Sequence, residues 1–184
     1  MEEEKIIALF FERSEEAIKE LDKKYGRICH RISYNILSNR QDAEECVNDA
    51  YLGVWNAIPP ARPHPLLAFV CKIVRNVSLK RYEQKTAAKR NSHYDAVLEE
   101  LEDCLPSPTT VEDEAEAREL TRAIEVFLDT LPRENRVIFL RRYWFSDTYA
   151  HIAAQVGLTA KNVSVRLSRI RKELRAFLME REVL

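Results

Sequence analysis

The sequence predicts an all-α protein with two small helical domains joined by an acidic, flexible linker. Three observations support this fold class. The 184 residues include only three glycines, where average usage of about 7% would give about 13. The chain contains neither Asn-Gly nor Asp-Gly, the dipeptides that two-residue β-hairpins prefer. Apolar residues recur at helical spacing along most of the chain. We place the domains at residues 1–90 and 116–184, with the linker at 91–115.

The N-terminal domain is predicted to contain four helices. Residues 4–37 indicate two helices that meet near Tyr25-Gly26, and the polar break at 38–41 offers N-cap candidates for the next. An apolar stripe over residues 43–58 predicts a helix of about 20 residues that ends at Pro59-Pro60. Its opposite face carries four acids, and we expect that face to be exposed. Residues 66–89 predict a basic helix.

The linker is predicted where the helical pattern lapses, between residues 91 and 114, in an acidic stretch with Pro106 and Pro108 near its centre. Two helices are then expected, over residues 120–131 and after Pro132. Thr148 can cap a short helix over residues 149–156, Gly157 stands at its C′ position, and Thr159 can cap a last, basic helix. This order is typical of a helix-turn-helix. The alternative is a solvated helical hairpin with a basic exterior.

Charge is distributed in blocks although the net charge is only −1. Residues 41–61 contain four acids and no base, 72–90 contain seven bases and one acid, and 95–119 contain ten acids and one base. A polyanion responds to a local basic patch, so a neutral total does not argue against nucleic-acid binding. Phe69, Tyr82 and Tyr94 among the bases would suit stacking on single-stranded nucleic acid, although solvated bases are the simpler interpretation of that helix alone.

Enzymatic and metal chemistry are not indicated. Gly-rich phosphate loops cannot be written with three glycines. The four histidines are scattered, and no two of the four cysteines have CxxC spacing. We therefore expect no catalytic residues, no cofactor and no metal, and reduced, buried cysteines. The acidic N-terminus does not resemble a signal peptide, and no apolar run reaches the roughly 18 residues that span a membrane. We expect a cytoplasmic protein without membrane insertion.

Four segments together resemble the bacterial RNA polymerase sigma factors of the extracytoplasmic-function (ECF) group, over nearly the whole chain. Residues 42–55 look like the core-binding helix of that family, and residues 69–77 look like its promoter-melting and −10-reading segment, with Phe69 where the family usually has Trp. Residues 131–143 are similar to the start of the −35 domain. Residues 149–159 followed by 163–172 are similar to its helix-turn-helix.

The resemblance implies a sigma factor that binds core RNA polymerase, recognises the −10 and −35 promoter elements and initiates transcription, without being an enzyme. The implied partners are the β′ clamp helices and β flap of the polymerase, double- and single-stranded promoter DNA, and an anti-sigma factor where one exists. The residues expected to bind core polymerase are Asp42, Glu45, Asn48, Asp49, Leu52 and Trp55. Those expected at the −10 element are Phe69, Lys72, Arg75, Asn76, Lys80 and Arg81. Those expected at the −35 element are Thr159, Lys161, Asn162, Ser164, Val165, Arg166 and Arg169.

Two alternatives remain open at this point. A dimeric helix-turn-helix regulator that works without polymerase would bind a palindromic site, but would leave the acidic and basic helices without a role. A metal-dependent hydrolase could use Asp42, Glu45, Asp49 and a histidine, but the sequence lacks HxxxH or HD spacing.

Overall fold

The computed structural model describes residues 1–86, 93–102, 104–105 and 114–183. Across those ranges the chain forms nine α-helices and no β-strand, which confirms the predicted all-α class. The helices are α1 (Glu3–Phe11), α2 (Glu16–Leu37), α3 (Arg40–Ala57), α4 (Leu66–Thr86), α5 (His93–Glu102), α6 (Glu114–Thr130), α7 (Arg133–Tyr143), α8 (Tyr149–Val156) and α9 (Ala160–Glu180). They divide into two compact units, residues 1–94 and 95–184.

Unit 1 is built on α2, α3 and α4, which pack against one another, with α1 against α2. The expected break near Tyr25-Gly26 is wrong: the chain breaks at residues 12–15 instead, where Arg13 has a φ of 54°. Helix α2 runs on through Gly26, which is buried. A Cβ at Gly26 would lie 2.4 Å from a carboxylate oxygen of Asp22. The glycine therefore makes room for the Asp22 carboxylate, which accepts a hydrogen bond of 2.8 Å from the Tyr51 hydroxyl.

Two side-chain caps set the starts of α3 and α4. The Asn39 side chain accepts from the Asp42 amide at 3.0 Å, as the polar break predicted. The first turn of α4 is capped from a distance, because a Glu3 carboxylate oxygen accepts from the Leu66 amide at 2.9 Å. Glu3 also accepts from the Tyr25 hydroxyl, and these two bonds lower the pKa of its carboxyl. Helix α1 thus fixes where the basic helix begins.

Unit 2 contains the predicted helix-turn-helix. Thr148 accepts from the His151 amide and Thr159 from the Asn162 amide, each at 3.2 Å, so both expected caps are present. Gly157 has a φ of 69°, the left-handed conformation that glycine adopts without strain. The short helix is Tyr149–Val156, as predicted. Val163, Leu167, Ile170 and Leu174 of α9 are buried, so the basic residues between them face outward or sideways.

Helix α5 lies inside the segment predicted as a linker, and the boundary between the two units falls within it, after Tyr94. This helix was not predicted, although Tyr94, Val97, Leu98 and Leu101 stand at the helical spacing i, i+3, i+4 and i+7. Only Tyr94 and Val97 of its ten residues are buried, and its four acids resemble those of a solvated linker. Residues 91–92, 103 and 106–113 of the predicted flexible linker lie outside the described ranges. The same holds for residues 87–89, the predicted end of the basic helix.

All four cysteines are buried free thiols. Burial raises the pKa of Cys29 to about 12 and that of Cys71 to about 11, so both are protonated at neutral pH. None of the described helices is both long and apolar enough to cross a membrane.

Candidate polymerase and nucleic-acid interfaces

The outward face of α3 presents the central part of the predicted polymerase site. Glu45, Asn48, Asp49 and Leu52 are exposed, and they share this face because they lie three, four and seven residues apart. Leu52 is 57% exposed. This face therefore combines one exposed apolar side chain with three polar ones. We call these four residues the α3 face.

Trp55 at the end of this face has a structural role in the free protein. Its ring is half-buried, 6.0 Å from the Phe10 ring in an edge-to-face arrangement. The Arg13 guanidinium lies 5.4 Å from the centre of the indole ring and donates to the Trp55 carbonyl at 2.7 Å. Trp55 therefore joins α3 to α1 and the turn that follows it, and only part of its ring is available to a partner.

Asp42 is not on the exposed face where the sequence analysis put it. The residue is only 8% exposed, and both of its carboxylate oxygens accept from Lys85 Nζ, at 2.5 and 2.6 Å. Arg81 lies 3.9 Å from the same carboxylate and 3.2 Å from that of Glu45. Asp42 therefore holds α3 against α4, and it is a nearly buried member of an ion-pair cluster that also includes the exposed Glu45.

The basic helix α4 has two distinct faces. Phe69 is half-buried and Lys72, Asn76 and Lys80 are exposed, and their spacing puts all four on one side of the helix. We call them the α4 face. Arg81 and Lys85 point instead toward the acids of α3. The bases of this helix, predicted as one patch, are divided by packing into an exposed row and a row paired with acids.

Arg75 and Tyr94 are less accessible to nucleic acid than the sequence predicted. Tyr94 is 5% exposed, and its ring packs edge-to-face on Tyr82 with ring centres 5.2 Å apart. Burial raises the pKa of Tyr94, and Arg75 beside it opposes that shift. Arg75 is half-buried and interacts within the protein. Tyr94 is therefore not available to stack on nucleic-acid bases, and Arg75 is not a free cation.

The predicted −35 residues lie in the N-terminal half of α9 or at its N-cap, and they differ in exposure and in their contacts. Lys161, Asn162, Val165 and Arg169 are exposed and share one side of the helix, which we call the α9 face. Ser164 is half-buried, and the Thr159 hydroxyl is engaged in capping. Arg166 is one-third exposed and forms an ion pair with Glu134 of α7. Arg166 is thus held to one flank of the face, by a partner that the sequence analysis did not identify.

A further cluster in unit 2 centres on Glu100 of α5. Its carboxylate accepts from Arg142 and Tyr143 of α7, Tyr149 of α8 and Arg171 of α9. Burial would raise the pKa of Glu100, but the bonds from Arg142, Tyr149 and Tyr143 together lower it. Burial raises the pKa values of Tyr143 and Tyr149, so both hydroxyls remain donors. Nothing in the sequence distinguishes Glu100 from the other nine acids of residues 95–119.

Two of the three acids considered for a metal site are paired with bases. Asp42 and Glu45 are engaged by Arg81 and Lys85, and Asp49 is exposed. Within the described ranges, His, Cys, Asp and Glu form no group of three or more that could hold a metal ion.

Two family models match the chain, and each falls on one of the units. "Sigma-70 region 2" matches residues 21–88, which include α3 and α4, and "Sigma-70, region 4" matches residues 121–174, which include α7 and α8. Together these ranges cover about two thirds of the chain. The matched segments contain the α3, α4 and α9 faces.

Two sequence relatives and one solved structure are similar to this chain at sequence identities of 26% or less. The ECF RNA polymerase sigma factor SigE of Mycolicibacterium smegmatis is 24% identical over 162 residues, and RfaY of Xanthomonas campestris pv. campestris is 26% identical over 168 residues. The aligned parts cover 86% and 85% of this chain, but only 60% of SigE and 41% of RfaY. The solved structure of CnrH in complex with the cytosolic domain of CnrY is similar with a TM-score of 0.44 and 19% identity, covering 97% of each chain. On the two region matches and the two sequence relatives, SigE and RfaY, the chain belongs to the sigma-70 family of RNA polymerase sigma factors, in its ECF group.

Proposed function

We propose that this protein is a promoter-recognising transcription initiation factor that acts as a subunit of RNA polymerase. The observation that carries the proposal is the order of the two region matches on two units, each of which presents an exposed polar helix face at the expected place. The polymerase performs the chemistry, so the chain itself needs no catalytic residue. The place of action would be the cytoplasm, where core polymerase and promoter DNA are found in bacteria.

Docking on core polymerase is assigned to the α3 face. Leu52 supplies the apolar centre, and Glu45, Asn48 and Asp49 supply polar contacts around it. Such a surface fits the β′ clamp helices, and unit 2 would contact the β flap. Asp42 would contribute indirectly, by holding α3 on α4 through Lys85. Trp55 would contribute the exposed part of its ring.

The −10 element is assigned to the α4 face. Lys72 and Lys80 can bind phosphates, Asn76 can hydrogen-bond a base edge or the backbone, and the Phe69 ring can stack on an unpaired base of the non-template strand. Arg81 would reach DNA only by leaving the carboxylates of Asp42 and Glu45.

The −35 element is assigned to the α9 face, inserted in the major groove. A recognition helix presents its N-terminal residues to base edges, which favours Lys161 and Asn162 as readers. Val165 can contact a thymine methyl group, and Arg169 lies further along, where phosphates are nearer. Arg166 would reach the DNA from the flank, from beside Glu134.

Run-off transcription with purified core polymerase, with and without this protein, tests the proposal. The protein should make initiation depend on a promoter, and a duplex with scrambled −10 and −35 elements should give no transcript. Asn162→Ala should relax preference at one base position, whereas Arg169→Ala should weaken all duplexes alike and reduce the salt slope by about one unit. Promoter-dependent transcription that never appears with core would reject the function. DNA binding by a free dimer would favour the alternative regulator.

An anti-sigma factor would silence this activity by covering one of the three faces. Competition between such a protein and core polymerase for binding to the chain would identify it.

A further inference from the structure

Glu100 connects three helices through one carboxylate. Tyr149 of α8 donates to Oε1 at 2.6 Å, and Tyr143 of α7 donates to Oε2 at 3.1 Å. Arg142 of α7 donates from Nε at 3.1 Å and from a second nitrogen, which makes a two-point contact. Arg171 of α9 donates to Oε2 at 3.3 Å. All of these residues belong to unit 2.

The donors also contact one another. The Arg142 guanidinium lies 4.6 Å from the centre of the Tyr149 ring and donates to the Asp147 carbonyl at 3.0 Å, just before α8 begins. Arg171 donates to the Tyr143 hydroxyl at 2.7 Å. The Arg142 side chain is only 4% exposed, so Glu100 supplies the counter-charge of a buried cation. Loss of the carboxylate would therefore disturb α7, α8 and α9 together.

We propose that α5 belongs to the −35 domain and that Glu100 is a positioning residue, which fixes the angle between the two helices of the helix-turn-helix. The DNA-reading domain then begins near residue 95 and not at residue 116, where the sequence analysis put it. The role in DNA reading rests on the proposed function, whereas the role in holding the helices does not.

The geometry suits such a role. Helix α8 has eight residues, too few to be stable without its neighbours, and Tyr149 is its first residue. On α9, Arg171 lies on the far side from Asn162, because the two are nine residues apart, about two and a half turns. The contact to Glu100 therefore leaves the α9 face open to DNA while it anchors the opposite flank of the same helix.

The test uses the full chain with Glu100→Gln, and Glu99→Gln as the matched control. Glu99 is the adjacent acid on the same helix and is exposed, so both variants lose one negative charge from α5. Amide hydrogen exchange is measured over α8 and over α3 in the free protein. The affinity of the holoenzyme is then measured for a set of duplexes that each carry one variant of the −35 element, and for one duplex that has only the −10 element.

The Glu100→Gln chain should exchange its α8 amides about tenfold faster or more, with α3 unchanged, and the control should resemble the wild type. The affinity ratio between the best and a scrambled −35 element should fall by about tenfold, while binding to the −10-only duplex is retained. A purely stabilising role would leave that ratio unchanged in the folded protein. Unchanged α8 exchange, or an unchanged ratio, in a folded Glu100→Gln chain would overturn the proposal.

A second variant covers the case in which Glu100→Gln does not fold. Tyr149→Phe keeps the carboxylate and both arginines and removes one hydrogen bond, so it should accelerate α8 exchange about threefold and reduce the −35 ratio in the same direction. No change in either would also overturn the proposal. Should the wild-type chain fail to bind promoters with core polymerase, the proposed function fails, and the exchange data still decide whether Glu100 holds the helices.

Discussion

Replacing Asp42 by Asn should destabilise unit 1 although Asp42 lies within the segment assigned to polymerase binding. The carboxylate is nearly buried, and Lys85 Nζ lies 2.5 and 2.6 Å from its two oxygens. The Asn variant keeps the shape of the side chain and its place after the Asn39 cap. It removes the negative charge that faces Lys85 and, more distantly, Arg81.

The size of the effect follows from the contact and its exposure. Two unit charges about 3 Å apart attract by about 5 kcal/mol at an effective dielectric constant near 20, before the cost of desolvation. The Lys85 side chain is 53% exposed, so water screens the pair and its net value falls well below that figure. Exposed ion pairs contribute about 0.5 kcal/mol to stability, and hydrogen bonds to charged groups contribute up to about 3 kcal/mol. Between these limits, we expect a coupling free energy of about 1–2 kcal/mol for Asp42 and Lys85.

The assay is a double-mutant cycle of Asp42→Asn and Lys85→Met, measured by urea unfolding. The chain has two tryptophans, Trp55 in unit 1 and Trp144 in unit 2. In a Trp144→Phe background, fluorescence therefore reports unit 1 alone. The cycle cancels effects of either change that do not involve the pair, such as the loss of a negative charge near the start of α3.

A coupling below about 0.3 kcal/mol would refute the reasoning, because it would mean that the two groups act independently. Polymerase binding gives a second criterion. The Asp42→Asn variant should recover binding to core on cooling or in a stabilising osmolyte, since its defect is in the fold. A binding loss that persists in the fully folded variant would return Asp42 to the docking surface.

Three further predictions concern the other faces and the Glu100 cluster. Leu52→Ser should abolish co-purification with core polymerase while changing the free energy of unfolding by no more than about 0.5 kcal/mol. The control is Met179→Ser, at a residue that is 59% exposed in unit 2. Equal binding of core polymerase by both variants would show that the docking site lies elsewhere. Phe69→Ala should reduce open complexes on duplex promoters more than on pre-melted ones, because a stacked ring contributes about 1–3 kcal/mol per base; equal losses would indicate a folding defect. The pKa of Glu100 is below its ordinary value of 4.5 in the folded chain, so unit 2 should keep this stabilisation above that pH and lose it as the pH falls through the lowered pKa. Trp144 fluorescence in a Trp55→Phe background follows this transition, and an acid transition that is unchanged in Glu100→Gln would contradict the assignment.

Local signals in the sequence were sufficient for the fold class and for the helix-turn-helix. The caps at Asn39, Thr148 and Thr159 and the left-handed Gly157 each act within a few residues of their own position, so the composition of a short segment predicts them. The family resemblance likewise depends on short motifs in order along the chain. These features were predicted, and the structure and the region matches confirm them.

Tertiary contacts decided which side chains of each face are free. Asp42 and Lys85 are 43 residues apart, and Glu100 and Arg171 are 71 apart, so no local pattern distinguishes these charges from solvated neighbours. Gly26 continues a helix, although glycine alone suggests a break, because its missing side chain makes room for Asp22. A charged residue on an amphipathic helix is exposed by default, and only the packing of the next helix determines whether it meets water, DNA or an opposite charge.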